Sequence, residues 1–313
     1  MTLLLREADV KKLAEMGPVV AAVEAAMRDL GAGLAENQPR RRVFPSGGVL
    51  NVMFAAWPAG GLAGLKSYSV AGGKARFLIV LYALDGSVRA LVESDWLGTF
   101  RTGAATGVAV RALAGPGPHT VAVIGAGWQA RTQVLALRSS VEVRELRVFS
   151  RDPERRRRFA AENGAIAAAD AAKCVRGADV VVTITSSADP VLEADWVGPS
   201  AVVVGAGSNY PNRAELPVDL IAGARAVVVD QRETAALESG DLLRAGFDLG
   251  RALELGSVLA GRESIPAGPG PVVFESHGLA LWDVAAASVV VEAATRAGTG
   301  EQVRLFEPEP PTA

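Results

Sequence analysis

Apolar residues recur along the chain with two spacings, one typical of helices and the other typical of strands. The helical spacing extends from roughly residue 6 to residue 34 and returns from Ser94 to Leu113. Asp85-Gly86 separates two apolar runs, and we expect those runs to form a hairpin. The first third is therefore predicted to be an antiparallel or mixed sheet with helices, an α+β arrangement. Its expected strands are about 42–44, 49–56, 64–70, 77–83 and 88–92.

A segment rich in glycine and proline, 114–118, predicts a domain boundary. Beyond it, short runs of valine and isoleucine alternate with helical segments, which predicts a parallel sheet covered on both faces. The fold class is therefore α/β, with a first domain at 1–115, a second at 116–284, and about 285–313 packing back on the first. The predicted strands of the second domain are 121–125, 146–150, 180–185, 202–205 and 226–230, and its last helix is about 280–297. The proline-rich tail, 307–313, is expected to fray.

Composition narrows the function classes. Half of the 313 residues are apolar and 21% are charged, so the chain can bury a large core. The formal net charge of −2 gives no bulk attraction to nucleic acid or to an anionic membrane, and we expect neither as a partner. One cysteine and two histidines exclude an internal disulfide and a histidine-rich metal site. A carboxylate-held metal is the remaining alternative, and we expect no metal. We find no secretory signal pattern and no apolar run of about 18 residues, so we expect a cytoplasmic protein.

A glycine fingerprint follows the first strand of the second domain. The segment Val121-Ala122-Val123-Ile124-Gly125-Ala126-Gly127-Trp128-Gln129-Ala130 has the order strand, G-x-G-x-x-A, helix. Gly125 would permit the tight turn, Gly127 would let the backbone approach a pyrophosphate, and Ala130 would let the helix pack closely on the strand. Because the fingerprint begins a series of alternating strands and helices, we interpret 116–284 as a Rossmann domain that binds NAD(P). The alternative is a tight turn without a ligand.

The end of the next strand indicates which dinucleotide is preferred. NAD-selective sites usually place an acidic residue there, whereas this chain has Ser150-Arg151. A hydroxyl and a guanidinium suit a 2′-phosphate, so we predict a preference for NADP(H), with NAD(H) as the alternative. The arginines at 155–158 point around a whole helix, which favours a solvated face over a nucleic-acid site.

Several motifs together resemble those of the ornithine cyclodeaminase/mu-crystallin family. They occur in the family's order and cover nearly the whole chain. The resemblance implies a homodimer joined through the sheets of the first domains, a pocket for an amino or imino acid between the two domains, and hydride exchange at the carbon that bears nitrogen. The motifs are Gly64-Leu65-Lys66, Arg101-Thr102-Gly103-Ala104-Ala105, the 125–130 turn, Glu238-Ser239-Gly240-Asp241, and Phe274-Glu275-Ser276-His277-Gly278 with Asp283.

The resemblance also implies roles for individual residues. Lys66 takes the position of the active-site lysine, and Arg41 and Arg101 take those of the arginines that bind the substrate carboxylate. The residues expected to contact the cofactor are Thr102, Gly125, Gly127, Trp128, Gln129, Ser150, Arg151, Thr185, Ser186, Ser276 and Gly278. Alternatives remain open: Lys66 as an edge-strand lysine, Arg101 in a helix salt bridge with Asp95 or Glu93, and a shift of one residue among Arg40, Arg41 and Arg42.

One position departs from the cyclodeaminase pattern. Counting back from Glu215 places Asn209 where cyclodeaminases have a basic aspartate, and an amide cannot accept a proton at working pH. This favours reduction of a cyclic ketimine by NADPH, with Lys66 as proton donor and Asn209 as a hydrogen-bonding neighbour. The alternatives are an ornithine cyclodeaminase or amino-acid dehydrogenase that uses another base, and a non-catalytic protein that binds NADPH.

Overall fold

The computed structural model describes residues 1–306, and the proline-rich tail that we expect to fray, 307–313, lies outside the described residues. A first sheet has the strand order β15-β1-β6-β5-β4-β3-β2. β5 and β6 pair antiparallel around Asp85-Gly86, which confirms the predicted hairpin. The strands of this sheet are β1 (Thr2–Leu5), β2 (Glu36–Val43), β3 (Gly48–Trp57), β4 (Leu62–Ala71), β5 (Lys74–Ala83), β6 (Val88–Glu93) and β15 (Glu301–Val303).

Helices cover one face of the first sheet. The helical pattern predicted over 6–34 divides into two helices, because the backbone at residues 14 and 15 is extended. Pro18 lies in the first turn of the second helix, where its fixed φ suits a helix start. The last helix lies against the first sheet, where it packs on β3 and β4 and on two neighbouring helices. These helices are α1 (Glu7–Leu13), α2 (Met16–Ala32), α3 (Asp95–Ala114) and α11 (Ala280–Ala297).

The second sheet is parallel, as predicted, and has the order β13-β12-β14-β11-β10-β7-β8-β9. Its strands are β7 (His119–Ile124), β8 (Val143–Phe149), β9 (Ile166–Ala167), β10 (Val180–Thr183), β11 (Val202–Gly205), β12 (Ala226–Val229), β13 (Leu253–Glu254) and β14 (Val272–Glu275). The helices between them are α4 (Trp128–Ser140), α5 (Pro153–Glu162), α6 (Ala171–Val175), α7 (Val218–Gly223), α8 (Arg232–Glu238), α9 (Gly240–Arg244) and α10 (Leu255–Leu259). The α/β fold class is confirmed.

The strand order creates a crevice in the second sheet. From β7 the chain continues to β8 on one side, and it later returns to place β10 on the other side. At such a switch point the two connections diverge and leave a gap at the carboxyl ends of the strands, where α/β proteins bind ligands. The predicted dinucleotide turn follows β7 directly and therefore lies at this gap.

The described helices differ from membrane-spanning helices, which must be both long and apolar. Over residues 1–306, none combines enough length with enough apolar character to cross a membrane.

Candidate active site

Two adjoining cavities lie at the carboxyl ends of the central strands of the second sheet. One, of about 720 Å³, is lined by the loops that follow β7, β8, β10 and β11. The other, of about 440 Å³, is lined by residues of β2, β4 and α3 together with the loops after β7, β11 and β14. Trp128, Gln129 and Gly207 line both cavities. We call the larger the nucleotide cavity and the smaller the substrate cavity.

The glycine turn shapes the nucleotide cavity. Gly125 has a φ of +128°, and a Cβ there would lie 2.3 Å from the carbonyl oxygen of Ile184, so no larger residue fits. Gly127 is the N-cap of α4, and a Cβ there would meet no atom of residues 1–306 within 4 Å. The backbone is thus open toward the cavity, where the first N–H groups of α4 can bind phosphate. This arrangement fits the pyrophosphate of a dinucleotide.

The outer end of the nucleotide cavity is basic. Two arginines, Arg151 and Arg155, line it together with Ser150 and Asp152. The Asp152 carboxylate nearby accepts hydrogen bonds from the backbone N–H groups of Glu154 and Arg155, so it caps α5. The arginines at 155–158 do not act alike: Arg155 faces the cavity, whereas Arg156 lies over the ring of Phe149 at 5.2 Å. Arg155 therefore lines the cavity, although the helical pattern favoured a solvated face for it.

Lys66 is buried in the substrate cavity. Its Nζ lies 3.0 Å from Oδ1 of Asp283, and Nε of Arg101 lies 3.0 Å from the same oxygen. Burial lowers the pKa of Lys66 from 10.5 to about 8, because desolvation disfavours the ammonium more than Asp283 stabilises it, and the charge of Arg101 lowers it further. Arg101 pairs with Asp283 and not with Asp95 or Glu93, the partners considered from sequence.

The three consecutive arginines of β2 have different surroundings. Arg40 is buried in the substrate cavity, where it pairs with Glu238 and donates a 3.2 Å hydrogen bond to the carbonyl oxygen of His277. Arg41 is exposed, and a register shift between Gln38 and Arg41 turns it to the outer face of the sheet. Arg41 therefore lies outside the substrate cavity, and Arg40 lines it.

Arg42 connects β2 to the second sheet. Its Nη2 lies 3.0 Å from Oε1 of Glu238 and donates a 3.0 Å hydrogen bond to the carbonyl oxygen of Asn209. Its guanidinium also lies over the ring of Tyr210, at 4.9 Å. These contacts hold the loop after β11, and with it Asn209, at the edge of the substrate cavity.

The loop after β14 forms another wall of the substrate cavity. The Asp230 carboxylate accepts hydrogen bonds from the backbone N–H groups of His277, at 2.8 Å, and Gly278, at 2.7 Å. Gly278 has a φ of +92°, and a Cβ there would lie 2.7 Å from Nη1 of Arg101, so glycine is required beside that guanidinium. The ring nitrogens of His277 face the carboxylates of Asp230 and Glu275.

The structure brings nearly all the residues expected at the site together. Those in the substrate cavity are Lys66, Arg101, Thr102, Asn209, Ser276 and Gly278, those in the nucleotide cavity are Gly125, Gly127, Ser150, Arg151, Thr185 and Ser186, and Trp128 and Gln129 line both. Arg41 lies outside. Arg40 was open as an alternative through a shift of one residue, whereas Glu238 and Asp283 had no predicted role, although both lie in the quoted motifs.

Comparison with known proteins agrees with this geometry. The model of the ornithine cyclodeaminase/mu-crystallin family matches residues 1–298. Mouse ketimine reductase mu-crystallin is 31% identical over 66% of this chain and 66% of its own length, just under two thirds. Alanine dehydrogenase of Archaeoglobus fulgidus is 30% identical over 97% of this chain and 99% of its own length. The structure of Thermococcus litoralis Δ1-pyrroline-2-carboxylate reductase with NADH and L-proline superposes with a TM-score of 0.88, at 26% identity, over 96% of this chain and all of that one.

Proposed function

The chain belongs to the ornithine cyclodeaminase/mu-crystallin family, and from that premise we propose that it reduces the C=N bond of a cyclic ketimine amino acid with NADPH. The substrate class is that of pyrroline- and piperideine-2-carboxylate. The observation that carries this proposal is the buried Lys66 ammonium with its lowered pKa, in a cavity that adjoins the nucleotide cavity.

The charges of the substrate cavity favour an anionic substrate. Three buried cations line it, Lys66, Arg101 and Arg40, and they pair with the carboxylates of Asp283 and Glu238, while the exposed Asp95 lies at the cavity wall. A cluster of three buried cations is suited to the α-carboxylate of an imino acid. Arg40 and Arg101 supply guanidinium groups, which can bind both oxygens of a carboxylate.

Lys66 supplies the proton that reduction requires. A dinucleotide bound in the nucleotide cavity supplies the hydride for the imine carbon. The nitrogen must gain a proton in the same reaction, and an ammonium with a pKa of about 8 can donate one near neutral pH. Asn209, at the cavity edge, can hydrogen-bond to the nitrogen but cannot remove a proton from it. The arrangement therefore favours reduction of an imine over oxidation of an amine.

Arg151 and Ser150 support a preference for NADPH over NADH. Both line the nucleotide cavity beyond β8, and Arg155 lies beside them. A 2′-phosphate gains charge-assisted hydrogen bonds from such groups. NAD(H) is the alternative cofactor, and a relative with NADH bound shares the fold.

We also propose that the protein is a homodimer joined through the outer face of its first sheet. Cross-strand pairing aligns Phe54, Leu65, Val80 and Leu91 in one row on the face opposite the helices. Phe54 is 48% exposed and the other three are partly exposed. A continuous apolar row of this kind marks an interaction surface. An archaeal alanine dehydrogenase dimer with bound NAD shares the fold, with a TM-score of 0.90 at 29% identity over 97% of this chain and 99% of that one.

The proposed activity can be tested by following NADPH absorbance with pyrroline-2-carboxylate and piperideine-2-carboxylate, with ornithine plus NAD⁺ assayed in parallel. We expect NADPH loss that depends on the imine and no ammonia from ornithine. Proline and ammonia formed from ornithine, with no imine turnover, would show a cyclodeaminase. NADPH binding without turnover of any imino or amino acid would show a non-catalytic binding protein.

A further inference from the structure

Glu215 is a buried carboxylate that the proposed chemistry does not use. It lies in the segment between β11 and α7, and only 1% of its surface is exposed. Its own backbone is held in place, because Oδ1 of Asp241 accepts hydrogen bonds from the N–H groups of Glu215, at 2.8 Å, and Leu216, at 2.6 Å. These two hydrogen bonds fix the backbone from which the Glu215 carboxylate extends.

The Glu215 carboxylate joins the loops that follow two neighbouring strands. Oε1 accepts hydrogen bonds from the backbone N–H and the hydroxyl of Thr185, both at 2.6 Å, in the loop after β10. Oε2 accepts a 2.7 Å hydrogen bond from the backbone N–H of Gly207, in the loop after β11, and a 3.1 Å bond from the hydroxyl of Thr183. Each oxygen therefore accepts one backbone N–H and one hydroxyl.

Both loops border the proposed dinucleotide site. Thr185 lines the nucleotide cavity, and Gly207 lines both that cavity and the substrate cavity. The packing is tight, because a Cβ at Gly207 would lie 2.4 Å from both Oε2 of Glu215 and the carbonyl oxygen of Thr185. A displacement of either loop would change the wall at the point where the two cavities meet.

We propose that Glu215 is a positioning residue for the dinucleotide, whose carboxylate fixes the loops after β10 and β11 in the arrangement that binds the cofactor. This inference rests on the proposed nicotinamide-dependent function. It assigns Glu215 no contact with substrate or cofactor, and its effect passes through the backbone of Thr185 and Gly207.

Glutamine cannot replace Glu215 in this role. Whichever way its amide is turned, the NH₂ group faces a backbone N–H, either that of Thr185 or that of Gly207. One loop must then lose its hydrogen bond to this side chain. Since a charge-assisted hydrogen bond is lost and a buried N–H is left without an acceptor, we expect NADH binding to weaken by about tenfold to a hundredfold in Glu215→Gln.

The same contacts make binding depend on pH. Burial raises the pKa of Glu215 to about 7, while its four hydrogen-bond donors act in the opposite direction. Because the pKa is raised, the ionised form that accepts both backbone bonds is lost as pH falls through about 7. Among the titratable groups nearby, Glu275 on β14 and Glu215 repel each other when both are ionised. Asp241 on α9 contacts the backbone N–H of Glu215, and the charge of His277 acts on Asp241.

Glu275 offers a matched control. It is also buried, and burial together with nearby carboxylates raises its pKa well above the usual range. Its recorded hydrogen bond is with the hydroxyl of Ser239, and it binds neither Thr185 nor Gly207 within the described chain. Glu275→Gln therefore changes a neighbouring buried carboxyl group and removes no hydrogen bond from either loop.

The experiment measures the dissociation constant of NADH by fluorescence from about pH 6 to about pH 8 for the full-length protein and both variants. NADH is the probe because its pyrophosphate does not titrate in this range, and it lacks the 2′-phosphate of NADPH. We expect wild-type affinity to fall up to about tenfold toward pH 6, as the ionised fraction of Glu215 falls. Glu275→Gln should follow the same curve, whereas Glu215→Gln should bind more weakly and without this pH dependence.

The possible outcomes separate this inference from the function on which it rests. NADH binding by Glu215→Gln with the wild-type affinity and pH curve would overturn the role of Glu215 and leave the proposed enzyme intact. A wild-type affinity for NADH that is equal at about pH 6 and about pH 8 would also overturn the role of Glu215. This outcome does not depend on whether the variant folds. A folded wild-type protein that binds neither NADH nor NADPH would overturn both.

Discussion

Replacing Asp283 by asparagine should move the pH dependence of catalysis. Asp283 Oδ1 lies 3.0 Å from both the Lys66 ammonium and the Arg101 guanidinium, and all three side chains are buried. Asparagine keeps the shape of the side chain and an acceptor oxygen but removes the negative charge. In this variant, burial and the charge of Arg101 still lower the pKa of Lys66, but no carboxylate at position 283 raises it.

The direction and size of the change follow from the structure. Lys66 donates a proton only below its pKa, so kcat/KM for imine reduction should fall as pH rises through about 8 in the wild-type enzyme. Asp283 raises this pKa, and loss of an opposite charge at such a distance lowers the pKa of a cation by about 1 to 3 units. We therefore expect the alkaline limb of the Asp283→Asn profile to lie at least about one unit lower, near neutral pH.

The assay is kcat/KM for pyrroline-2-carboxylate at saturating NADPH, measured across the neutral and alkaline range for wild type, Asp283→Asn and Lys66→Met. The free imine titrates at the same pH in all three assays. A shift of the pH profile between the proteins must therefore come from a group on the enzyme. Lys66→Met should lose about 10²-fold to 10⁴-fold in rate, as expected for loss of a general acid. An alkaline limb at the same pH in wild type and Asp283→Asn would refute the assignment of that limb to Lys66.

Three other predictions follow from the same geometry. Arg40→Lys should raise KM for the imino acid by about tenfold or more, because an ammonium cannot form the forked hydrogen bonds of a guanidinium. Arg41→Lys should have the steady-state kinetics of wild type, and equal KM increases in both variants would place Arg41 at the site. Arg151→Ser should reduce the preference for NADPH over NADH by about tenfold or more, measured as a ratio of kcat/KM values, and an unchanged ratio would exclude Arg151 as the 2′-phosphate ligand. Phe54→Asp should convert the dimer to a 32.3 kDa monomer in light scattering, and a stable dimer would place the interface elsewhere.

The second sheet could largely be predicted from sequence, because its strands are short buried runs of valine bounded by glycine and polar residues. The predicted bounds of 202–205 and 280–297 agree with β11 and α11. The strand β14 was missed. It has four residues, Val272–Glu275, and lies between a glycine- and proline-rich segment and the loop that contains Gly278, so neither its length nor its flanks distinguished it from a loop.

The nucleotide half of the site was also predictable, because a glycine turn between a strand and a helix is a local pattern. The substrate half depends on contacts between distant residues. Lys66 and Asp283 are 217 positions apart, and no local spacing indicates that they meet. Among the arginines of β2, a shift in strand pairing decides which one faces the cavity. Strict alternation along a strand cannot predict such a shift.

The central claim is that the carbon of an imino acid receives hydride while its nitrogen receives a proton. The most direct test is reduction of pyrroline-2-carboxylate by NADPH that carries deuterium on the transferred position of the nicotinamide, followed by mass spectrometry of the product. The account predicts proline with one deuterium on its α-carbon, formed in step with NADPH oxidation. Unlabelled proline, or no net oxidation of NADPH while ornithine releases ammonia, would contradict it.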